Sequence, residues 1–110
     1  RKDILVSIGP SISGDKYLLD EKTYSEFFSS INRFYNKEEI FFTLPNNLEI
    51  HESILLDIKK FAYLQLLREN LDPNNIDISS KCTYSSPEEF HSWRRSKNDN
   101  RQWSVICSSI

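Results

Sequence analysis

The chain has 110 residues, of which 38% are hydrophobic and 27% charged, and its formal net charge is −2. These values are typical of one globular domain, since the chain is too short for two full domains and too apolar for wholesale disorder. They predict no general attraction to nucleic acid or anionic membranes, and no apolar run approaches the ~20 residues of a membrane-spanning helix.

The chain contains no methionine and begins almost directly with an apolar run. We therefore expect it to be part of a longer polypeptide and of a larger single domain. The two cysteines, Cys82 and Cys107, do not form a disulfide framework, so we expect reduced thiols in a cytoplasmic protein.

The first third of the chain predicts a strand, an extended piece and a helix. Ile4–Ile8 is a β-branched run that ends at Gly9-Pro10, as a buried strand does before a turn. A short extended piece is expected at Tyr17–Leu19, and Asp20 is a suitable N-cap. One apolar stripe at helical spacing follows, formed by Tyr24, Phe27, Phe28, Ile31 and Phe34.

The middle of the chain predicts a second strand and a long helix. The strand covers Glu38–Leu44 and is stopped by Pro45-Asn46-Asn47. The helix covers about Glu52 to Asn70, with an apolar surface so broad that we expect it to be covered on more than one side. Asp72-Pro73 ends it, because proline cannot continue a helical ladder.

The last third predicts further β-structure. Ile76 and Ile78 alternate as in a strand, Ser86-Pro87 can open one helical turn, and residues 101–110 read as a final strand with Cys107 in the core. The order of elements predicts an α/β (α+β) layered sandwich, a mixed sheet with flanking helices.

Few residues offer chemistry. His51 and His91 are the only histidines, and neither CxxC nor HxxxH spacing occurs, so the sequence predicts no metal site. Asp57 lies within an apolar stretch and fits a helix cap better than a catalytic base. No glycine-rich phosphate loop and no serine-hydrolase elbow is present.

The segment around Cys82 allows two interpretations. Cys82 follows a strand and precedes a turn, and nearby Lys81, Arg94 and Arg95 can favour its thiolate. The structural alternative is a small core residue. Adjacent residues of an extended segment point to opposite faces, so we expect only one of the two arginines to point inward.

The segment "CTYSSPEEFHSWRRSKNDNRQWSVI" resembles the C-terminal signature of the YfiH family of multicopper-oxidase-like laccase-domain proteins. That signature has Cys-Thr, then Phe-Phe-Ser-Tyr-Arg-Arg, a polar loop, Gly-Arg and a final apolar strand. The matching positions are Cys82-Thr83, Phe90 to Arg95, Arg101 and Ser104 to Ile106.

Two further blocks are similar to the family in order and spacing. "ILVSIGPSISGDKYLLDEKTYSEF" resembles its strand, Gly-Pro-Ala-Ile-Gly turn and following helix, and "LLDIKKFAYLQLLRENL" resembles its Leu-Asp-Leu, Ala, Gln-Leu helix. The chain departs from the pattern at four positions, which are Ser13, Ser85, His91 and Asn100.

The resemblance implies that residues 1–110 are the C-terminal portion of a laccase-domain fold. Family members are purine nucleoside enzymes that phosphorolyse adenosine and inosine and deaminate adenosine, and they were earlier described as copper-dependent polyphenol oxidases. Their zinc or copper site, two histidines and one cysteine, lies in the N-terminal half. The resemblance therefore implies that this chain alone binds no metal.

The partners implied are a purine nucleoside, phosphate and the missing N-terminal half of the same protein, with no nucleic acid and no membrane. We expect Arg94 or Arg95 to hold phosphate, while Cys82, Thr83 and Ser11 line the pocket. No catalytic residue is assigned to this chain.

Two other functions stay open. In a non-catalytic interaction or structural module, the same residues only stabilise the fold or a partner interface, and the broad apolar helix suits burial against another surface. A thiol hydrolase that uses Cys82 predicts selective alkylation of that residue near neutral pH.

Overall fold

The computed structural model of the protein describes residues 3–43, 54–98 and 100–108. Its elements, in chain order, are β1 (Val6–Ile8), β2 (Leu18–Leu19), α1 (Glu21–Ile31), α2 (Lys37–Ile40), β3 (Phe41–Thr43), β4 (Ile54–Leu56), α3 (Ile58–Arg68), a 3₁₀ turn (Pro73–Asn75) and β5 (Ile76–Ile78).

The strands form two small sheets. In one, β1 pairs with β5 in parallel, with Val6 opposite Ile76 and Ile8 opposite Ile78. In the other, β4 lies between β2 and β3 and is antiparallel to both. Parallel and antiparallel pairing together with flanking helices confirm the expected α/β layered fold.

Two aspartates begin the long helices; the sequence predicts the position of Asp20, whereas Asp57 caps a helix that begins later than the predicted start at Glu52. An Asp20 carboxylate oxygen accepts a hydrogen bond from the backbone N–H of Thr23 at 2.7 Å. Asp57 does the same at α3, where it accepts from the N–H of Lys60 at 3.0 Å. Each carboxylate satisfies a backbone donor that has no partner within its helix, which fixes the helix start.

The main core lies where α1, α2 and β4 meet. Leu19, Ile31, Ile40 and Leu56 form its buried cluster. Aromatic rings pack around this cluster edge to face, with Phe27 5.8 Å from Phe41 and 5.1 Å from Phe61 between ring centroids. From α3, Phe61 and Leu64 also pack against this cluster.

Two boundaries in the middle of the chain were predicted wrongly. Ile54–Leu56 is a strand, not the start of a helix, and Glu38–Ile40 belongs to α2 rather than to a strand. An apolar run of three residues fits either structure, and pairing with β2 and β3 decides for the strand. The stop at Pro45-Asn46-Asn47 and the residues Leu44, Glu52 and Ser53 lie outside the described part.

The predicted final strand is also wrong for residues 101–108, which form neither helix nor strand. Trp103 and Val105 are 89% and 85% exposed, and Cys107 is exposed rather than in the core. The predicted turn at Ser86 is confirmed, because its carbonyl accepts from the N–H groups of Glu89 and Phe90. None of the helices in the described residues has the length and apolarity to cross a bilayer.

Candidate functional site: two loops beside a buried thiol

The loops that follow β1 and β5 run side by side. The N–H of Ser79 donates to the carbonyl of Ile8 at 2.8 Å, and the N–H of Thr83 donates to the carbonyl of Ser11 at 3.1 Å. Between these bonds, Ser11 and Cys82 form an isolated parallel β-bridge. The carboxyl ends of parallel strands are where ligands bind in open α/β sheets, so this loop pair is the candidate site.

Cys82 is buried at the junction of the loops. Its Sγ accepts a hydrogen bond from the backbone N–H of Ser13 at 3.2 Å, and the Ser13 hydroxyl oxygen lies 3.2 Å from the same sulfur while also donating to a carboxylate oxygen of Asp15. Burial raises the pKa of the Cys82 thiol, but hydrogen bonds from Ser13 and Ser85 outweigh burial and lower this pKa from 9.0 to about 6. A pKa of about 6 favours the thiolate form of this sulfur at neutral pH.

Two hydroxyl residues flank this sulfur. Thr83 is buried and follows Cys82 directly in the chain. The Ser11 hydroxyl oxygen is also buried, and within the described residues it has no hydrogen-bond partner. A buried hydroxyl without a partner is uncommon in a folded protein, so Ser11 can donate to or accept from a ligand or water.

Arg95 points inward and holds the second loop together. Its Nη1 donates to the carbonyls of Thr83 and Tyr84 at 2.7 and 2.9 Å, and its Nη2 donates to the carbonyl of Phe90 at 2.6 Å. These charge-assisted bonds occupy both terminal nitrogens. In the described structure, Arg95 is therefore a positioning residue of the loop rather than a free cation.

Arg94 points outward. Its side chain is exposed, and its guanidinium carbon lies 4.9 Å from the centre of the Tyr17 ring. Hydrogen bonds from Thr23 lower the pKa of Asp20, and the charges of Lys22 and Arg94 lower it further. The two arginines thus diverge as expected, although residues 93–95 form a turn and not an extended segment.

The described residues do not form a metal site. They contain no group of three or more His, Cys, Asp or Glu side chains able to hold an ion. His91 is exposed, and His51 lies outside the described part. This donor set does not fit copper or zinc.

Ser13 and Tyr17 belong to the site but were not predicted from the sequence as site residues. Ser13 contacts Cys82 across 69 positions of the chain. The parallel pairing of β1 with β5 that produces this contact leaves no local pattern in the sequence. The only available signal is the strand followed by Gly9-Pro10, which places a loop at the end of a strand.

Comparisons with known proteins agree with the resemblance in the sequence. The sequence model of the family described as "Multi-copper polyphenol oxidoreductase laccase" matches residues 1–109. The chain is 28% identical over 117 residues to purine nucleoside phosphorylase slr1573 of Synechocystis sp., covering 97% of this chain and 44% of that protein. It is 31% identical over 93 residues to purine nucleoside phosphorylase YlmD of Bacillus subtilis, covering 84% of this chain and 31% of that protein.

The chain therefore spans less than half the length of these curated relatives. No solved structure is a significant match. The family match covers nearly every residue and includes both loops of the candidate site. The chain belongs to the multi-copper polyphenol oxidoreductase laccase family, which is the YfiH-like family.

Proposed function

We propose that the chain is the C-terminal part of a purine nucleoside phosphorylase that acts on adenosine or inosine with phosphate. The observation that supports this proposal most directly is the similarity to two relatives named purine nucleoside phosphorylase. The loop pair adds a physical basis, because a phosphorolytic site needs a cation for phosphate and hydrogen-bonding groups for the nucleoside.

We assign the phosphate to Arg94. Its guanidinium is exposed and lies over the Tyr17 ring, where its N–H groups can bind two oxygens of one phosphate. Arg95 is less suited to this role, since its terminal nitrogens already donate to three carbonyls. Arg95 instead supports the loop that carries Cys82 and Thr83.

In this proposal, Ser11, Cys82 and Thr83 form the wall of the site. The buried hydroxyl of Ser11 is available to a sugar hydroxyl. The negative charge of the Cys82 thiolate suits the positive charge that develops on the ribosyl carbon as the base leaves. Attack of a phosphate oxygen on this carbon forms the new C–O bond, while the bond to the base breaks.

We further propose that the remaining part of the reactive centre, including any copper or zinc ligands, comes from the portion of the relatives' length that this chain does not match. The two free cysteines in the described residues fit the reducing cytoplasm as the compartment.

The assignment of phosphate is tested with Arg94→Ala in the complete protein that carries this chain. We expect the KM for phosphate in inosine phosphorolysis to rise about 10- to 100-fold, because the phosphate loses one or two charge-assisted hydrogen bonds. Arg33→Ala is the matched control, because Arg33 is exposed and lies outside both loops. An unchanged KM in Arg94→Ala contradicts the assignment.

A second assay separates the enzyme from a non-catalytic module and from deamination. Adenosine is incubated with the complete protein with and without phosphate, and adenine, inosine and ammonia are quantified. Phosphate-dependent release of adenine supports phosphorolysis, and release of inosine with ammonia supports deamination. Turnover of inosine with phosphate by the 110 residues alone contradicts the proposal that the reactive centre needs further protein.

A further inference from the structure

A pocket of about 370 Å³ lies between α1, β4 and α3, and Tyr17 at the end of the loop after β1 forms part of its lining. Its volume falls in the range of roughly 300–1,000 Å³ that is usual for small-molecule sites. The lining side chains are aromatic, aliphatic or neutral and polar, and they are Tyr17, Leu19, Thr23, Phe27, Leu56, Ile58, Phe61, Ala62 and Gln65.

The chemistry of this lining selects a class of ligand. None of the lining residues carries a charge, so the pocket offers no cation for a phosphate. Three of the residues are aromatic, and Phe27 and Phe61 already pack edge to face at 5.1 Å between centroids. Aromatic walls suit a flat, neutral ring, because its faces and edges can pack against theirs.

Two side chains can give such a ring its orientation. Thr23 on α1 has a hydroxyl, and Gln65 on α3 has an amide with both donor and acceptor groups. The edge of a purine also presents donors and acceptors, and proteins read it through such hydrogen bonds. The pocket thus combines a flat apolar volume with a small number of hydrogen-bonding groups.

Tyr17 connects this pocket to the proposed phosphate cation. The Tyr17 side chain lines the pocket, and the Arg94 guanidinium lies 4.9 Å from the centre of the same ring. One aromatic side chain is therefore the boundary between an apolar volume and an exposed positive charge. Phosphorolysis needs the base and the phosphate close together, on either side of the ribose.

We propose that this pocket binds the purine base of the nucleoside, with Tyr17 and Phe61 as its aromatic walls and Gln65 as the group that orients the base. The inference rests on the proposed function and extends it by assigning the binding site of the purine base. The small side chain of Ala62 leaves this volume open, and a larger residue there would occupy it.

The test measures binding of hypoxanthine and inosine by calorimetry to the complete protein that carries this chain. We expect Gln65→Ala to weaken hypoxanthine binding about 5-fold, as for the loss of one hydrogen bond. We expect Ala62→Phe to reduce it at least 10-fold by filling the pocket. Glu26→Gln, at an exposed α1 position outside the lining, is the control and should leave binding unchanged.

Circular dichroism shows whether the Ala62→Phe protein is folded. Gln65 is exposed, so we expect Gln65→Ala to fold normally and to test the inference even if Ala62→Phe does not fold. Unchanged hypoxanthine affinity in Gln65→Ala and in a folded Ala62→Phe protein overturns the inference. Absence of hypoxanthine binding to the unmodified protein overturns it as well.

The outcomes also separate this inference from the proposed function. If hypoxanthine binds as expected but inosine is not phosphorolysed, the base pocket stands and the phosphorylase proposal fails. If phosphorolysis proceeds and neither variant changes the KM for inosine, the phosphorylase proposal stands and the base pocket is wrong.

Discussion

Cys82 combines burial with an acidic thiol. Burial alone would keep its sulfur protonated, and the hydrogen bonds from Ser13 and Ser85 reverse that preference, so the pKa falls to about 6. The neutral-pH charge of the site therefore depends on a contact between two loops. Since the backbone N–H and the hydroxyl of Ser13 both lie 3.2 Å from the sulfur, its hydroxyl is the group whose removal should be most visible.

We predict that alkylation of Cys82 by iodoacetamide in the folded protein has its midpoint near pH 6, because the thiolate is the reactive form. Ser13→Ala should move the midpoint upward by removing one donor. Mass spectrometry of Cys82 and Cys107 peptides measures the reaction, and exposed Cys107 is the internal control. A Cys82 midpoint near 9 would contradict the prediction.

The same shift predicts how stability depends on pH. The pKa of the Cys82 thiol is lower in the folded protein, at about 6, than its ordinary value of 9.0. The unfolded chain therefore binds more protons between these values, and stability rises as the pH increases from about 6 to about 9. This contribution to stability is lost as the pH falls through 6. In urea unfolding at different pH values, the Cys82→Ser protein should not show this rise in stability.

Arg95 and Arg94 should differ in their effect on stability. We predict that Arg95→Ala lowers the free energy of unfolding by about 2–4 kcal/mol, because three carbonyls lose a charged donor. Arg95→Lys should restore only part of this, since one ammonium cannot reproduce the planar guanidinium. Arg94→Ala, at an exposed position, should change stability by about 0.5 kcal/mol or less. If urea unfolding gives the same loss of unfolding free energy for both alanine variants, the stability of the loop does not depend on Arg95.

At the scale of elements, the loop after β1 approaches the start of α3 closely. A Cβ atom added at Gly14 would lie 3.0 Å from the Cβ and 3.2 Å from the Cα of Asp57. Asp57 is the N-cap of α3, so it cannot move without disturbing the helix start. The loop after β1 is thus in close contact with the start of the helix that lines the apolar pocket.

We predict that Gly14→Ala destabilises the protein by about 1–3 kcal/mol through this close contact. Gly9→Ala is the control, because its nearest neighbour is the Ser104 hydroxyl at 3.2 Å, an exposed side chain that can rotate. No glycine among the described residues has a positive φ, so neither substitution destabilises the protein through an unfavourable backbone conformation. Thermal unfolding measures both variants, and a larger loss for Gly9→Ala would contradict the prediction.

Elements determined by local chemistry could be predicted from the sequence. Asp20 and Asp57 cap their helices through a bond to a residue three positions away, and such spacing is visible in the chain. The strand Ile54–Leu56 could not be recognised, because its distant partners β2 and β3 determine it. For the same reason, the sequence indicated Cys82 as a candidate but not its contact with Ser13.

The protein as a whole exposes more surface than its mass predicts. The accessible surface is 8562 Å², whereas a compact monomer of 13.0 kDa is expected to expose about 6,300 Å². The radius of gyration is 16.0 Å, compared with about 13 Å for a compact domain of this length. Leu5, Trp103, Val105 and Ile106 are among the large apolar side chains in contact with water. This surface fits the proposal that further protein completes the fold.

We predict that Trp103 reports this completion. In the 110-residue chain its indole is 89% exposed, so its fluorescence should be red-shifted and readily quenched by acrylamide. In the complete protein the emission should shift to the blue, since burial removes water from the ring. Trp93→Phe leaves Trp103 as the single tryptophan of these 110 residues, and in the complete protein the difference between the spectra with and without Trp103→Phe gives its emission. Red-shifted, readily quenched Trp103 emission in the complete protein would contradict the proposed covering of this surface.

The parallel pairing of β1 with β5 also has a consequence for folding. Ser13 and Cys82 are 69 positions apart, so the hydrogen bonds from Ser13 that favour the thiolate can form only after a long stretch of chain has been closed into a loop. Closing such a loop costs entropy before any contact compensates for it, which places this step late in folding. The part of the proton release by Cys82 that depends on Ser13 should therefore accompany this late step of folding.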